Sequence, residues 1–284
     1  KYDIIYATSP PLFVGAAALG ISLLRFKPLV FEVRDLWPDS AVALGELRNA
    51  YLIKLSRFLE QLCCLRARHV VVVTEGIRRN LRKRRIREPR LTFIPNGART
   101  DLFKPGAVNK ELRRRLDIPE SAFVIVYAGL HGLAHGMSVI LEAARLLLEK
   151  GIDEHMVQFL LVGDGVAKPQ LKADAEKLGL ANVRFLAAVP ETELADLIRA
   201  SDAGLATTAK LPLTEGSLPV KMFTYMAAGR PVLLAAEGEA KQLVEKARAG
   251  LCTPPEDGKA LAEEILKLMD KPALGAMLGR NGRR

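Results

Sequence analysis

Short apolar, β-branched runs alternate with stretches of helical periodicity along almost the whole chain, and this alternation limits the folds open to it. Strands are predicted at 4–7, 29–33, 70–74, 91–94, 123–128, 158–162, 183–185, 204–206 and 232–235. Helices are predicted at 12–24, 50–66, 77–84, 137–150, 167–178, 191–200, 220–228, 239–248 and 258–269. The strands lack a polar face, so both of their faces are buried, as in parallel sheets covered by helices on each side. The expected class is α/β, with doubly wound Rossmann-like sheets. A chain of 284 residues is long enough for two such domains, each with its own core. The segment 99–121 is more polar and carries Pro105, Gly106 and Pro119. It reads as a linker, dividing the chain into 1–106 and 107–284.

The uncharged run 4–24 has the length of a membrane span. Ser9-Pro10-Pro11 interrupts it, because proline cannot continue a helix and restricts the residue before it. A buried strand, a turn and a core helix are the better reading. The three cysteines, two of them adjacent at Cys63 and Cys64, are too few for a disulfide framework and fit a reducing cytosol. Charge is uneven. Residues 1–106 carry 19 Lys and Arg against 9 Asp and Glu, whereas 107–284 carry 23 of each. The densest basic run is Arg78, Arg79, Arg82, Lys83, Arg84, Arg85, Arg87 and Arg90, with Leu81 and Ile86 interleaved. Such a run suits an anionic membrane surface, although a solvated face gives the same pattern. Nucleic acid is the rival partner. No zinc-finger, helix-turn-helix or RNA-binding signature accompanies the run, so no nucleic-acid partner is expected.

The stretch LPVKMFTYMAAGRPV, residues 218–232, carries the most chemistry. A proline turn bears Lys221, a helical turn follows, and Ala227-Ala228-Gly229 stops it before an apolar run. Helix ends of this kind bind anions through unpaired N–H groups. An ordinary helix of an α/β sheet also fits. AGLHGLAHG at 128–136 follows a predicted strand, and its Gly129, Gly132 and Gly136 would let the backbone approach a phosphate closely. The spacing alone is weak. LVGDG at 161–165, VRFLAAVP at 183–190 and SDAGLA at 201–206 complete an ordered set. SPPLFVG at 9–15, FEVRDLWPDSAVALG at 31–45, VVVVTEGI at 70–77 and PNGARTDLFKP at 95–105 lie upstream.

Taken together and in this order, these motifs resemble glycosyltransferase family 4, in its bacterial branch for cell-surface polysaccharides. The resemblance covers nearly the whole chain. It implies the glycosyltransferase-B fold, two doubly wound domains facing a cleft, and retaining transfer of a sugar from a nucleotide diphosphate donor, UDP being expected, to a lipid-linked glycan acceptor. It also implies a peripheral protein on the cytoplasmic face of the membrane. Family members carry further strands before the equivalent of Lys1 and a helix beyond Asn281. The amino-terminal domain is therefore expected to be incomplete, to expose apolar surface, and to belong to a fragment of a longer protein.

The resemblance also assigns residues. The donor diphosphate would lie against Gly129, His131, Gly132 and His135; where many members have Arg and Lys, this chain has approximately Leu130 and His135, so the histidines would donate instead, unless they are plain loop residues. The nucleobase would be held by backbone groups around Ala187 and Val189. Glu215 matches a glutamate near the donor sugar, and Gly216, Ser217 and Leu218 would offer backbone amides. Lys221 would stabilise the leaving diphosphate, a surface lysine being the alternative. Thr224 stands where the family has a glutamate on the ribose hydroxyls, which weakens the expected nucleotide contact. Arg34 and Asp35 would face the cleft from the acceptor side, or form a structural pair beside Trp37. No Asp-x-Asp occurs, so no metal or other cofactor is expected. The competing reading is a non-catalytic family member or inactive fragment that binds nucleotide or membrane.

Overall fold

The structure is a computed structural model. It describes residues 2–211 and 214–284, with the side chain of Glu215 outside the described residues. The chain forms two compact units, Lys1–Asn96 with Leu211–Leu218, and Gly97–Lys210 with Pro219–Arg284.

The first unit runs β1 (Ile5–Ser9), α1 (Leu12–Arg25), β2 (Leu29–Val33), α2 (Asp39–Ala43), α3 (Ala50–Arg66), β3 (His69–Val72), α4 (Glu75–Lys83) and β4 (Leu91–Phe93). Its four strands are all parallel, in the order β1-β2-β3-β4. The uncharged run 4–24 divides at Ser9-Pro10-Pro11 into β1 and α1. Phe31, Val33, Val70, Val72 and Leu81 are fully buried between sheet and helices. Gly15 lets α1 lie directly on Phe31, whose ring a Cβ there would overlap. Asn49 caps α3, its Oδ1 accepting from the Tyr51 and Leu52 N–H groups, and Thr74 caps α4 through Ile77. Large apolar side chains remain exposed on β1, α1 and α3, among them Tyr6, Phe13, Leu24, Leu55 and Phe58, and on Phe26 just after α1.

The second unit runs α5 (Lys110–Arg115), β5 (Phe123–Ala128), α6 (Ser138–Glu149), β6 (Val157–Val162), α7 (Lys168–Lys177), β7 (Val183–Leu186), α8 (Glu191–Arg199), β8 (Ala203–Thr207), α9 (Val220–Ala227), β9 (Val232–Ala235), α10 (Glu239–Ala247), β10 (Gly250–Thr253), α11 (Gly258–Asp270) and α12 (Pro272–Arg283). Its parallel sheet is ordered β7-β6-β5-β8-β9-β10. The chain steps outward from β5 to β7, then returns to the other side of β5 and steps outward again. Strand order therefore reverses between β5 and β8, and sheets of this kind bind ligands outside the carboxyl ends of the strands at that reversal. Ile125, Tyr127, Ile140, Phe159, Leu161 and Ile265 are buried in the core around the sheet.

The segment 99–121 is not a free linker. Phe103 is buried, and its carbonyl accepts from Arg283 at 3.2 Å. Arg113 of α5 is 3% exposed and donates to the carbonyls of Ala200, Glu120 and Ala122 and to the Asp202 carboxylate at 2.7 Å. These bonds hold 97–121 on the second unit, and the division falls after Asn96 rather than after 106. Four further elements have no counterpart in the sequence reading: α2, α5, β10 and α12. β10 is a four-residue edge strand opening on a glycine, and α12 contains Gly275, Gly279 and Gly282. Gly279 lies so close to Gly229 that a Cβ would overlap its carbonyl oxygen. Packing, not helix propensity, therefore holds α12.

Candidate active site

The strand-order reversal leaves a structural gap. β5 pairs with β8 only at Ile125–Ala203 and Val126–Gly204. Beyond those pairs the Ala128 N–H has no strand partner on that side. Tyr225 of α9 fills the gap: its hydroxyl accepts from the Ala128 N–H at 2.8 Å and donates to the Leu205 carbonyl at 3.2 Å. The ring is fully buried, and burial raises the phenol pKa, so it remains a neutral donor. It crosses β8 directly over Gly204, where a Cβ would overlap it. These contacts fix α9 at the carboxyl ends of β5 and β8.

Lys221 lies one turn earlier on α9 and shares the face of Tyr225. Its Nζ sits 3.7 Å from the centre of the Tyr127 ring. A Cβ on Gly129 would come within 3.3 Å of its Cε, so the first loop glycine makes room for this side chain. The Nζ is buried and has no hydrogen-bond partner among the described residues. Burial pulls its pKa down to about 7. A buried cation facing a ring and no acceptor is in the state that an anion would relieve.

The loop after β5 is built from glycines and tied down on both sides. The Tyr127 hydroxyl donates to Leu130, Thr207 Oγ1 to His135 and the Ala209 N–H to Ala134. His131 N–H bonds Asp164, and its carbonyl accepts from Ala167. Gly163 and Gly165, which follow β6, have positive φ and pack against the carbonyls of Gly129 and His131. Lys168 Nζ donates to Gly163 and Leu186, tying the loops after β6 and β7 together. Gly132 opens the short turn Leu133–His135, and Gly136 ends it at φ 55°.

The two loop histidines are not cations. His131 is fully buried, edge-on to Tyr127 at 5.7 Å and Phe185 at 6.4 Å, and neither ring nitrogen has a partner among the described residues. Burial first, then Lys168 and Lys221, lower its pKa to about 4. Burial, then Lys221 and His131, bring the half-buried His135 to about 4 as well. Positive charge beside this loop therefore comes from Lys221 and Lys168, of which Lys168 is already hydrogen-bonded to the Gly163 and Leu186 carbonyls.

The remaining candidates fall in several places. Thr224 is half-buried, one turn after Lys221. Ala187, exposed, and Val189, half-buried, follow β7 in an irregular loop. Arg34, exposed, and Asp35, half-buried, follow β2 at the carboxyl end of the first sheet and form no ion pair with each other. Gly216 ends the turn Thr214–Gly216, where a Cβ on Gly76 of α4 would lie 2.7 Å from its Cα. Ser217 Oγ donates to the Thr214 carbonyl at 2.8 Å, and Leu218 is buried. The backbone of Glu215 lies in the same turn; its side chain is outside the described residues. Structure therefore brings Gly129, His131, His135 and Lys221 into one cluster and adds Tyr127, Tyr225 and Lys168, which the sequence reading missed. A tyrosine at the end of a strand beside a glycine loop, and a glycine inside the predicted strand 204–206, were the available signals.

The family model for glycosyl transferases group 1 matches residues 108–284, and that for a glycosyl transferase 4-like domain matches 1–97. The chain belongs to the glycosyl transferases group 1 family. Among related proteins, it is 30% identical over 198 residues to a D-inositol 3-phosphate glycosyltransferase of Streptomyces avermitilis, covering 67% of this chain and 42% of that one. It is 25% identical over 280 residues to WcaI of Escherichia coli strain K12, a glycosyl transferase named for colanic acid biosynthesis, covering 96% of this chain and 67% of that one. The chain thus spans less than half the length of the D-inositol 3-phosphate enzyme. Its fold matches Anabaena Alr3699/HepE, solved in complex with UDP and glucose, with a TM-score of 0.79 at 24% identity, over 99% of this chain and 72% of that one. Sucrose-phosphate synthase of Thermosynechococcus elongatus gives 0.77 at 21% identity, over 99% and 68%. This group 1 chain accordingly has the glycosyltransferase-B type of fold, with two Rossmann-like domains. No helix among the described residues is long and apolar enough to cross a membrane.

Proposed function

We propose that this chain is a retaining glycosyltransferase that moves a sugar from a UDP-linked donor to a lipid-linked glycan in cell-surface polysaccharide synthesis, on the cytoplasmic face of the membrane. Family membership, the UDP and glucose complex of the Anabaena relative and the likeness to WcaI support the reading. The observation that carries it is Lys221: a buried ammonium with no acceptor among the described residues, beside a glycine loop at the point where strand order reverses.

In this reading the donor diphosphate lies against Gly129 and Gly132. Lys221 takes up the charge that develops as the sugar–phosphate bond breaks, where a preorganised cation acts most strongly. His131 and His135 contribute as neutral imidazoles. Ala187 and Val189 hold the base through their backbone, Thr224 is nearest the ribose, and Gly216, Ser217 and Leu218 offer amides. Glu215 is assigned to the donor sugar, and Arg34 and Asp35 to the acceptor. Neutralisation of the diphosphate is given to Lys221 and backbone N–H groups, with no metal cofactor. The test is UDP release from a panel of UDP-sugars in the presence of membrane lipid extract, with the anomeric configuration of the product read out. Lys221→Met is expected to lower release by roughly ten- to a hundredfold. Unchanged release would overturn the assignment.

Thr224 favours a second reading, a nucleotide-binding member without turnover, because threonine offers the ribose one short hydroxyl in place of a carboxylate. Saturable UDP binding with no release from any donor would establish it.

A further inference from the structure

The basic surplus of the first unit is only partly neutralised. Arg78 is engaged by Glu75 and Glu88, Arg82 by Glu88, Arg84 by Asp39 and Glu60, and Arg57 by Asp39. Arg78, Arg82 and Arg84 belong to the dense run, so its middle carries much less free charge than its sequence suggests. Part of the uncompensated charge gathers around the starts of β3 and β4. Arg66 ends α3, Arg68 and His69 lead into β3, and Arg87 and Arg90 lead into β4. All five line one cavity of about 540 Å³, and no Asp or Glu among the described residues joins them. None of these four arginines forms an ion pair with a carboxylate among the described residues.

The cavity has a fixed base. The Arg90 guanidinium donates to the carbonyls of Cys64, Leu65 and Ala67, at the carboxyl end of α3 where carbonyls lack helical partners. His69 Nε2 is hydrogen-bonded to Thr92 Oγ1. Around these anchored groups Arg66, Arg68 and Arg87 are exposed. Like charges gathered without a counter-charge repel one another, and the exposed Arg66, Arg68 and Arg87 each carry a planar fork matched to phosphate oxygens.

We propose that this cavity binds a phosphate-bearing anion. It lies at the amino-terminal ends of β3 and β4, whereas Arg34 and Asp35 lie at the carboxyl end of β2, so it is separate from the proposed sugar-transfer residues on the same sheet. The phosphate could come from a lipid headgroup or from a soluble polyphosphate, and both present the same chemistry to the arginines.

The chain has four histidines, which makes the test site-resolved. His69 lines this cavity, while His131 and His135 lie in the loop after β5. Histidine ring signals are followed by NMR during titration with pyrophosphate, and separately with phosphatidylglycerol or phosphatidylcholine vesicles; His69→Gln assigns the relevant signal. Saturable movement of His69 by pyrophosphate is expected. In the Arg66→Gln/Arg68→Gln/Arg87→Gln variant its affinity should fall about tenfold or more, with an unchanged His155 signal showing an intact fold. Loss of the His69 signal with phosphatidylglycerol but not phosphatidylcholine identifies a headgroup as the source; movement with pyrophosphate alone identifies a soluble anion. An unmoved His69, an equal response in the triple variant, or movement with duplex DNA alone would overturn the proposal. Pyrophosphate binding at the donor loop is read from His131 and His135, so failure of one site is distinguishable from failure of the other.

Discussion

Lys221 Nζ lies over the Tyr127 ring at 3.7 Å from its centroid and has no hydrogen-bond acceptor among the described residues. A cation over an aromatic face gains roughly 2 kcal/mol when both are desolvated. That gain does not offset burial, which still brings the ammonium down to about 7. The side chain is therefore held in position at a cost in its charged state, and a bound diphosphate would restore that charge.

Lys221→Met separates a structural lysine from a ligand-binding one. Removing a buried, unpartnered cation while keeping its apolar stem should leave the thermal midpoint unchanged or raise it. UDP affinity should fall by about ten- to a hundredfold, the range of a lost charge-assisted hydrogen bond. A midpoint that drops while UDP affinity stays constant would make Lys221 a packing residue.

Tyr225 is expected to govern the geometry of α9. Tyr225→Phe leaves the buried Ala128 N–H without a partner, a loss of about 1–3 kcal/mol. Gly204→Ala forces a Cβ into the Tyr225 ring and should cost a similar amount or more. Urea unfolding of both variants tests this, and a Gly204→Ala protein as stable as the parent would show that Tyr225 does not cross β8 as described.

Thr224→Glu is expected to tighten UDP binding. A carboxylate can accept from two ribose hydroxyls, worth roughly 1.5–3 kcal/mol if the geometry is good. The gain should vanish for a nucleotide lacking ribose hydroxyls. Equal or weaker UDP binding by the folded variant, measured by calorimetry, would remove position 224 from the ribose contact.

Glu60 should make the first unit sensitive to pH. It is fully buried against Arg84, and burial raises its carboxyl from an ordinary 4.5 to about 7. Between those values the folded chain holds a proton that the unfolded chain releases. Its contribution to stability is complete below about pH 4.5 and disappears as pH rises through about 7. The thermal midpoint of the parent should fall more between pH 5 and pH 8 than that of Glu60→Gln. Identical slopes would show that Glu60 does not titrate in this range.

Legibility in the sequence followed burial. Every predicted strand occurs, because runs such as FVIVYA and VLLA are buried on both faces and their pattern is local. β10 and α12 escaped because tertiary contacts made by glycines stabilise them, and glycine carries no local signal for strand or helix. The segment 99–121 looked polar, yet Arg113 is buried by partners far along the chain at Ala200 and Asp202. At the site, Lys221 and the glycine loop stood out by residue type. The charge state of His131 and His135 did not, because it depends on burial and on two lysines brought near by the fold.

The most direct measurement is calorimetric titration of UDP at pH 8 in two buffers of different ionisation enthalpy. At that pH the terminal phosphate, with a pKa of about 6, is already ionised, while Lys221, at about 7, is mostly neutral. Binding that re-forms the Lys221 ammonium against the diphosphate must take up a proton. The expected result is uptake of about one proton per UDP in the parent and about none in Lys221→Met, with parent affinity falling as pH rises above 7. UDP binding with no proton uptake in the parent, or identical titrations of parent and variant, would contradict the assignment of Lys221 to the diphosphate.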